Sequence, residues 1–168
     1  VRVAVRALGA EELRLTGGEP LVRKDLEDVI ARIRFDHPDL PIAMTTNAVG
    51  LDRRAQALKD AGLTRLNASL DTLHPETFAE LTRRPHLDKV LAGLEAAQAA
   101  GLGPIKINAV LLRGINDTEV VPLVDWAVTH GYEMRFIEDM PLDGDRSWTE
   151  TQVVPNRKST RLNSSHTD

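Results

Sequence analysis

The 168-residue chain contains no cysteine. Disulfide cross-links, thiolate chemistry and iron–sulfur ligation by its own residues are thereby excluded. It also lacks an apolar run of the ~20 residues needed to span a bilayer. Excess positive charge is missing too: 21 Lys and Arg against 25 Asp and Glu leave a net charge of −4. That balance provides no broad electrostatic footprint for nucleic acid or an anionic membrane, although single cations remain available to a phosphate. The opening Val1-Arg2-Val3-Ala4-Val5-Arg6 has no initiator Met and no signal-peptide core, so the chain is expected to begin inside a longer, cytoplasmic protein. What remains, 42% hydrophobic and 27% charged residues, suits a soluble globular domain of a length that builds a proper core.

Two hydrophobic periods alternate along the chain. Glu12–Thr16, Pro41–Thr46, Arg65–Leu70, Ile105–Leu111 and Tyr132–Glu138 read as strands. Between them, Asp25–Phe35 places Leu26, Val29, Ile30 and Ile33 on one helical face, with Asp25 as a candidate cap. Arg53–Ala61, Pro75–Leu81 and Leu87–Ala100 are further helices, with Gly62 and Gly101 closing two of them. Thr118 reads as the N-cap of a last helix, with Glu119 in its first turn, running to about His130 and ended by Gly131. Val153-Val154 would be a sixth strand. Such β-α alternation with short connections implies parallel strands covered by helices, either an open doubly wound sheet or part of a barrel. Residues 1–156 are expected to form one domain. Residues 157–168 have almost no apolar content and no periodicity, which fits a disordered end; they also resemble the translation of a sequencing-library adapter and are set aside as a non-native tail.

In parallel α/β folds ligands bind beyond the carboxyl ends of the strands. Here those ends are Thr16-Gly17-Gly18-Glu19-Pro20, Thr45-Thr46-Asn47, Ser69-Leu70-Asp71-Thr72, Arg113-Gly114-Ile115-Asn116-Asp117 and Glu138-Asp139-Met140-Pro141. The Gly17-Gly18 pair lets backbone N–H and C=O groups approach an amino-acid head group, and Glu19 offers a carboxylate to an ammonium; an ordinary strand–helix turn accounts for the same residues. Arg14 and Lys106 lie inside strands, where a charge needs a partner or water. A phosphorylated substrate would explain them, and so would ion pairs to Glu12, Glu19 or Glu138. Thr45, Ser69 and Asn108 offer neutral hydrogen bonds. His37, His74, His86 and His130 make no metal-ligand pattern, and Trp126 is expected to pack a helix on the sheet.

Taken together, Glu12–Leu21, Met44-Thr45-Thr46-Asn47, Leu66–Leu73, Lys106–Val110 and Arg135–Pro141 resemble, in order, the GTP 3′,8-cyclase (MoaA) family of radical S-adenosylmethionine (SAM) enzymes. The resemblance runs from about Val1 to Val154. It implies a partial, TIM-like (β/α)6 barrel, truncated at both ends. It implies SAM contacts at Gly18, Ser69 and Met140, and GTP contacts at Arg14, Thr45 and Lys106, with no catalytic residue and no metal ligand in this segment. In the family, a reduced 4Fe–4S cluster cleaves SAM to a radical that removes the ribose H3′ of GTP. The product is (8S)-3′,8-cyclo-7,8-dihydroguanosine 5′-triphosphate, in the first step of molybdenum cofactor synthesis. The family's Cys-x-x-x-Cys-x-x-Cys loop precedes this region and three further cysteines follow it; neither set is present. The resemblance therefore implies clusters held by a longer protein and an inactive fragment. A homodimeric parent is compatible with it. A radical SAM enzyme for another substrate, a cluster-free nucleotide-binding module, and a barrel piece with open edges and no stable fold are the alternatives.

Overall fold

A computed structural model describes residues 1–140 and 153–155, so the expected tail at 157–168 lies outside the described residues. Five strands form one sheet: β1 (Leu13–Leu15), β2 (Ile42–Thr46), β3 (Arg65–Ser69), β4 (Ile105–Leu111) and β5 (Glu133–Glu138). All neighbours are parallel, and the spatial order is the chain order, β1-β2-β3-β4-β5. That order separates the two architectures left open by the periodicity. A doubly wound sheet reverses its strand order part-way. Right-handed crossovers that always step the same way put every helix on the same face, as in a barrel. The sheet is thus a partial barrel wall. Val153 makes only an isolated antiparallel bridge to Leu112, so the described residues hold no sixth parallel strand.

Between the strands run α2 (Leu26–Asp36), α3 (Ala55–Ala61), α4 (Pro75–Thr82) with α5 (Leu87–Ala99), and α6 (Val120–Thr129); α1 (Arg2–Leu8) precedes β1. Ile30 and Ile33 of α2, Leu58 of α3 and Val90, Leu94 and Ala97 of α5 share one core with Met44, Leu66, Ile105 and Ile107 of the sheet. β4 shows the consequence most clearly: Ile105, Ile107, Ala109 and Leu111 are buried beneath the helices, while Lys106, Asn108 and Val110 turn to the other face and are half-buried. No helix of the described residues is long and apolar enough to cross a membrane.

Several local expectations need correction. The helix Arg2–Leu8 was not foreseen. Thr118 does not cap α6. Asp117–Glu119 forms a 3-10 turn, Asp117 Oδ1 accepts the Gly114 N–H, and Glu119 takes the cap position without a side-chain cap bond. Asp25 does stand at the N-cap of α2, but its carboxylate is 2.9 Å from Arg23 Nε and leaves the helix N–H groups alone. Gly62, Gly101 and Gly131 all have positive φ, as their helix-ending positions require.

One close approach fixes how α5 sits. Ala48, just beyond β2, has φ of 62° and is fully buried. Its carbonyl accepts the Leu51 N–H at 3.2 Å and faces Gly93 of α5. A Cβ on residue 93 would lie 2.4 Å from that oxygen, so only glycine lets α5 pack this deeply.

Candidate functional site

The helix-free face of the sheet is polar. Parallel pairing puts register partners on the same face. Arg14, Ala43 and Arg65 make one row. Thr45, Asn67, Lys106 and Glu133 make the next, and Ser69, Asn108 and Arg135 the one nearest the strand ends. Hence Arg14, Thr45, Lys106 and Ser69, four of the residues singled out from sequence, come to one surface. Thr45 and Lys106 stand two strands apart, about 10 Å at ordinary strand spacing.

Both strand cations have acidic partners. Arg14 Nη2 is 3.2 Å from Glu12 Oε1, and the other Glu12 oxygen meets Arg65. Hydrogen bonding from Arg14, followed by that from Arg65, outweighs desolvation and holds the Glu12 carboxyl below its usual range. Lys106 Nζ lies 3.0 Å from Glu133 Oε2, a neighbour set by register rather than any of the acids expected to pair with it. The two cations differ in shelter: the Arg14 side chain is 49% exposed and the Lys106 side chain 18%.

Beyond the strand ends lies a cavity of about 410 Å³ lined in part by Glu19, Asn47, Ser69, Asp71, Phe78 and Arg84. Ser69 is thus a cavity residue. Gly18 is exposed and precedes one, and a Cβ there would meet nothing within 4 Å. Met140 is 55% exposed, two residues past β5, and is not part of the lining. Glu19 makes the contacts of the strand–helix turn, one of the two readings left open for this segment. Its Oε1 accepts Leu21 N–H at 3.0 Å and the Thr46 hydroxyl, and its Oε2 accepts Asn47 N–H at 2.7 Å. The carboxylate fastens the Gly-Gly turn to the end of β2. Of its four or so acceptor positions, one on Oε2 remains.

Asp71 also lines the cavity and is half-buried; burial pushes its carboxyl above the usual range, opposed by the Val110 N–H that donates to Oδ1 at 2.8 Å. Two buried residues from the β4–α6 connection lock this rim. Asn116 Nδ2 donates to the carbonyls of Asp71 at 2.8 Å and Val110 at 2.9 Å. The Glu119 carboxylate accepts the Thr72 hydroxyl, at 2.7 and 2.8 Å from its two oxygens, and the Leu73 N–H at 3.3 Å.

Sequence reasoning missed Arg54. Its guanidinium forks onto both oxygens of Glu27 and donates to the carbonyls of Leu21 at 2.7 Å and Arg23 at 3.1 Å, tying the start of α3 to the turn after β1. It also missed Phe78, Arg84 and His86 as cavity residues, because they come from α4 and the α4–α5 connection rather than from a strand end.

A parallel single-layer sheet with its helices on one face, a polar opposite face, and a cavity against a Gly-Gly-Glu turn agrees with the family comparison. The Radical SAM superfamily profile matches residues 1–127, and the chain belongs to that superfamily. Coproporphyrinogen III oxidase from Escherichia coli, a radical SAM enzyme, shares the fold with a TM-score of 0.64 at 14% identity, over 91% of this chain and 38% of that one. A radical SAM methyltransferase from Sphaerobacter thermophilus superposes with a TM-score of 0.58 at 18% identity, over 79% of this chain and 42% of its own.

Sequence relatives narrow the resemblance. The chain is 64% identical over 154 residues to the GTP 3′,8-cyclase of Paenarthrobacter nicotinovorans, covering 92% of this chain and 43% of that protein. It is 51% identical to the GTP 3′,8-cyclase of Streptomyces coelicolor, covering 92% of this chain and 45% of the relative. The chain therefore spans under half the length of the curated relatives it matches.

Proposed function

We propose that this chain is the SAM- and GTP-binding portion of a GTP 3′,8-cyclase, an enzyme of molybdenum cofactor synthesis acting in the cytoplasm. The observation that carries the reading is the shared face of Arg14, Thr45 and Lys106, with Ser69 one row nearer the strand ends, in a sequence 64% identical to a protein of that name. Guanidinium and ammonium groups on a half-sheltered surface suit phosphate oxygens. Thr45 adds a hydroxyl in the row of Lys106. A triphosphate arriving there would displace Glu12 from Arg14 and Glu133 from Lys106, so those acids keep the cations neutralised until substrate binds.

The cavity residues fit SAM chemically. Glu19, Ser69 and Asp71 offer polar contacts, Val22, Val49 and Phe78 offer apolar walls, and about 410 Å³ lies within the range of small-molecule sites,. Gly18 would present backbone, Ser69 a hydroxyl, and Met140 would approach from β5. SAM bound there would supply the radical only in a longer protein whose reduced iron–sulfur cluster gave it an electron; this chain's residues would bind it, orient it and keep water away. An iron–sulfur cluster does not fit the residues present. The chain has no cysteine, and among the described residues no three His, Cys, Asp or Glu side chains are grouped to hold a metal. The chain by itself is accordingly proposed to be inactive.

Anaerobic reconstitution separates these claims. The 168-residue chain treated with iron and sulfide is expected to hold no stoichiometric cluster and to release no 5′-deoxyadenosine from SAM. Equilibrium dialysis with GTP is expected to show binding that Lys106→Ala weakens at least tenfold. GTP binding that ignores both Lys106→Ala and Thr45→Ala would overturn the substrate assignment.

A further inference from the structure

Among the described residues, the buried polar and charged side chains are those of Thr46, Asn67, Thr72, Asn116 and Glu119. All but one commit their polar atoms to the fold. Thr46 donates to Glu19 and accepts the Ala48 N–H at 3.1 Å, and Thr72 donates to Glu119, which also accepts the Leu73 N–H. Asn116 accepts the Leu112 N–H at 2.7 Å and donates to the carbonyls of Asp71 and Val110. Asn67 is the exception. It is 5% exposed, and its carboxamide makes no side-chain hydrogen bond among the described residues.

Register fixes where that carboxamide lies. Leu66 and Ala68 are buried in the core shared with the helices, so strand alternation turns Asn67 to the opposite, polar face. Its register partners are Thr45 on β2 and Lys106 on β4, each about 5 Å away at ordinary strand spacing. Neither one satisfies it, and the Lys106 ammonium turns instead to Glu133 at 3.0 Å. A sheltered polar group without a partner weakens a fold, whereas an apolar side chain of the same branched outline would not. The fold therefore has no use for an amide here. What the amide holds in reserve is a pair of N–H donors for a group arriving on this face.

We infer that Asn67 is a substrate-binding residue, its Nδ2 donating to a phosphoryl oxygen of a nucleotide held between Thr45 and Lys106. This rests on the reading of the polar face as the GTP site. An ionised phosphoryl oxygen accepts hydrogen bonds, so donors must meet it. Thr45 brings a hydroxyl and Lys106 an ammonium, and Asn67 fills the strand between them with a neutral donor. Its neutrality suits the place. A carboxylate there would repel the phosphate, and a second cation beside Lys106 would need an acid of its own in the free protein.

The test uses the 168-residue chain, with GTP and tripolyphosphate as probes in equilibrium dialysis and urea unfolding followed by far-UV circular dichroism. Asn67→Leu removes the donors and keeps the branched outline. It is expected to bind both probes roughly tenfold more weakly than wild type, as for a lost hydrogen bond to a charged group. Its urea midpoint should equal or exceed that of wild type. Asn67→Asp, which sets a carboxylate in the same space, should weaken both probes further. A midpoint well below wild type for Asn67→Leu would show that the amide serves the fold, and overturns the inference. Unchanged affinity for both probes in Asn67→Leu, where Lys106→Ala loses them, overturns it while the GTP reading stands. Loss of GTP affinity alone, with tripolyphosphate unaffected, overturns the phosphoryl contact. If the wild type binds neither probe, the GTP reading fails and this inference falls with it.

Discussion

Replacing Gly93 with alanine inverts a familiar expectation. At an exposed helix position glycine costs about 0.5–1 kcal/mol relative to alanine, so Gly→Ala ordinarily stabilises. At residue 93 the new methyl would sit 2.4 Å from the Ala48 carbonyl oxygen and 3.1 Å from Leu51 Cβ. The obstacle is backbone, and it cannot swing aside as a side chain would. Ala48 is fully buried, holds φ of 62°, and its oxygen already accepts the Leu51 N–H. Relief requires α5 to move off the β2–α3 turn, with an overpacking cost of about 1–3 kcal/mol and a strained hydrogen bond worth about 1 kcal/mol. The helix-propensity gain offsets only part of that. Gly93→Ala is therefore expected to destabilise the chain by about 1–3 kcal/mol, lowering the midpoint of thermal unfolding by about 2–4 °C per kcal/mol. Urea and thermal unfolding followed by far-UV circular dichroism measure it. Ala92→Gly, at an exposed position on the same helix, is the comparison and should lose about 0.5–1 kcal/mol. A Gly93→Ala variant as stable as wild type, or more so, would refute the close-approach argument.

Further expectations follow from the polar fastenings. Arg54→Lys keeps the charge but loses the fork onto Glu27, and should cost about 1 kcal/mol in urea unfolding, the half-exposed setting limiting the effect. Arg54 holds the Glu27 carboxyl below its usual range, so the stabilisation is full above the unfolded-state value and fades as pH falls through the lower folded value; a Glu27→Gln chain whose acid-unfolding curve matched wild type would contradict this. Asp71 has the opposite sign. Its folded carboxyl is raised, so ionisation disfavours the fold increasingly as pH climbs from the ordinary Asp value toward the folded one; Asp71→Asn, which keeps an oxygen for the Val110 N–H, should gain stability relative to wild type across that window, and a pH-independent difference would count against it. Glu119→Ala should leave the Thr72 hydroxyl and Leu73 N–H unsatisfied at a cost of about 1–3 kcal/mol, with faster amide exchange at Leu73; unchanged exchange there would show that the rim does not depend on it.

Much of the scaffold was legible because its signals are periodic. Ile105-Lys106-Ile107-Asn108 alternates by the rule of strands, and the structure puts its apolar members under helices and its polar members on the other face. The same alternation placed Arg14 and Lys106 on a shared surface, since both are strand-interior cations flanked by leucine or isoleucine. The misses are non-periodic. Arg54 meets Glu27 across 27 positions, and nothing local marks the pair. Thr118 has the chemistry of a cap, yet it lies inside a 3-10 turn, and Glu119, which accepts the Thr72 hydroxyl, stands at the cap position of α6. The acidic partner of Lys106 was sought at strand ends, but register supplied Glu133 from the adjacent strand. Arg84 was invisible for a third reason: the search followed strand ends, and the outer wall of the cavity is built by a helix–helix connection.

The agreement between spatial order and chain order has a kinetic consequence. Each strand pairs only with the strand before and after it in sequence, so every closure in the sheet spans a single crossover, of one helix or, between β3 and β4, of two. The closest analogy is a repeat protein, in which energetic coupling decays with distance along the array. β3 has neighbours on both sides and β1 and β5 have one each, so amide protection should peak in Arg65–Ser69 and fall toward either edge, and folding should spread outward from that middle unit rather than await contact between distant ends.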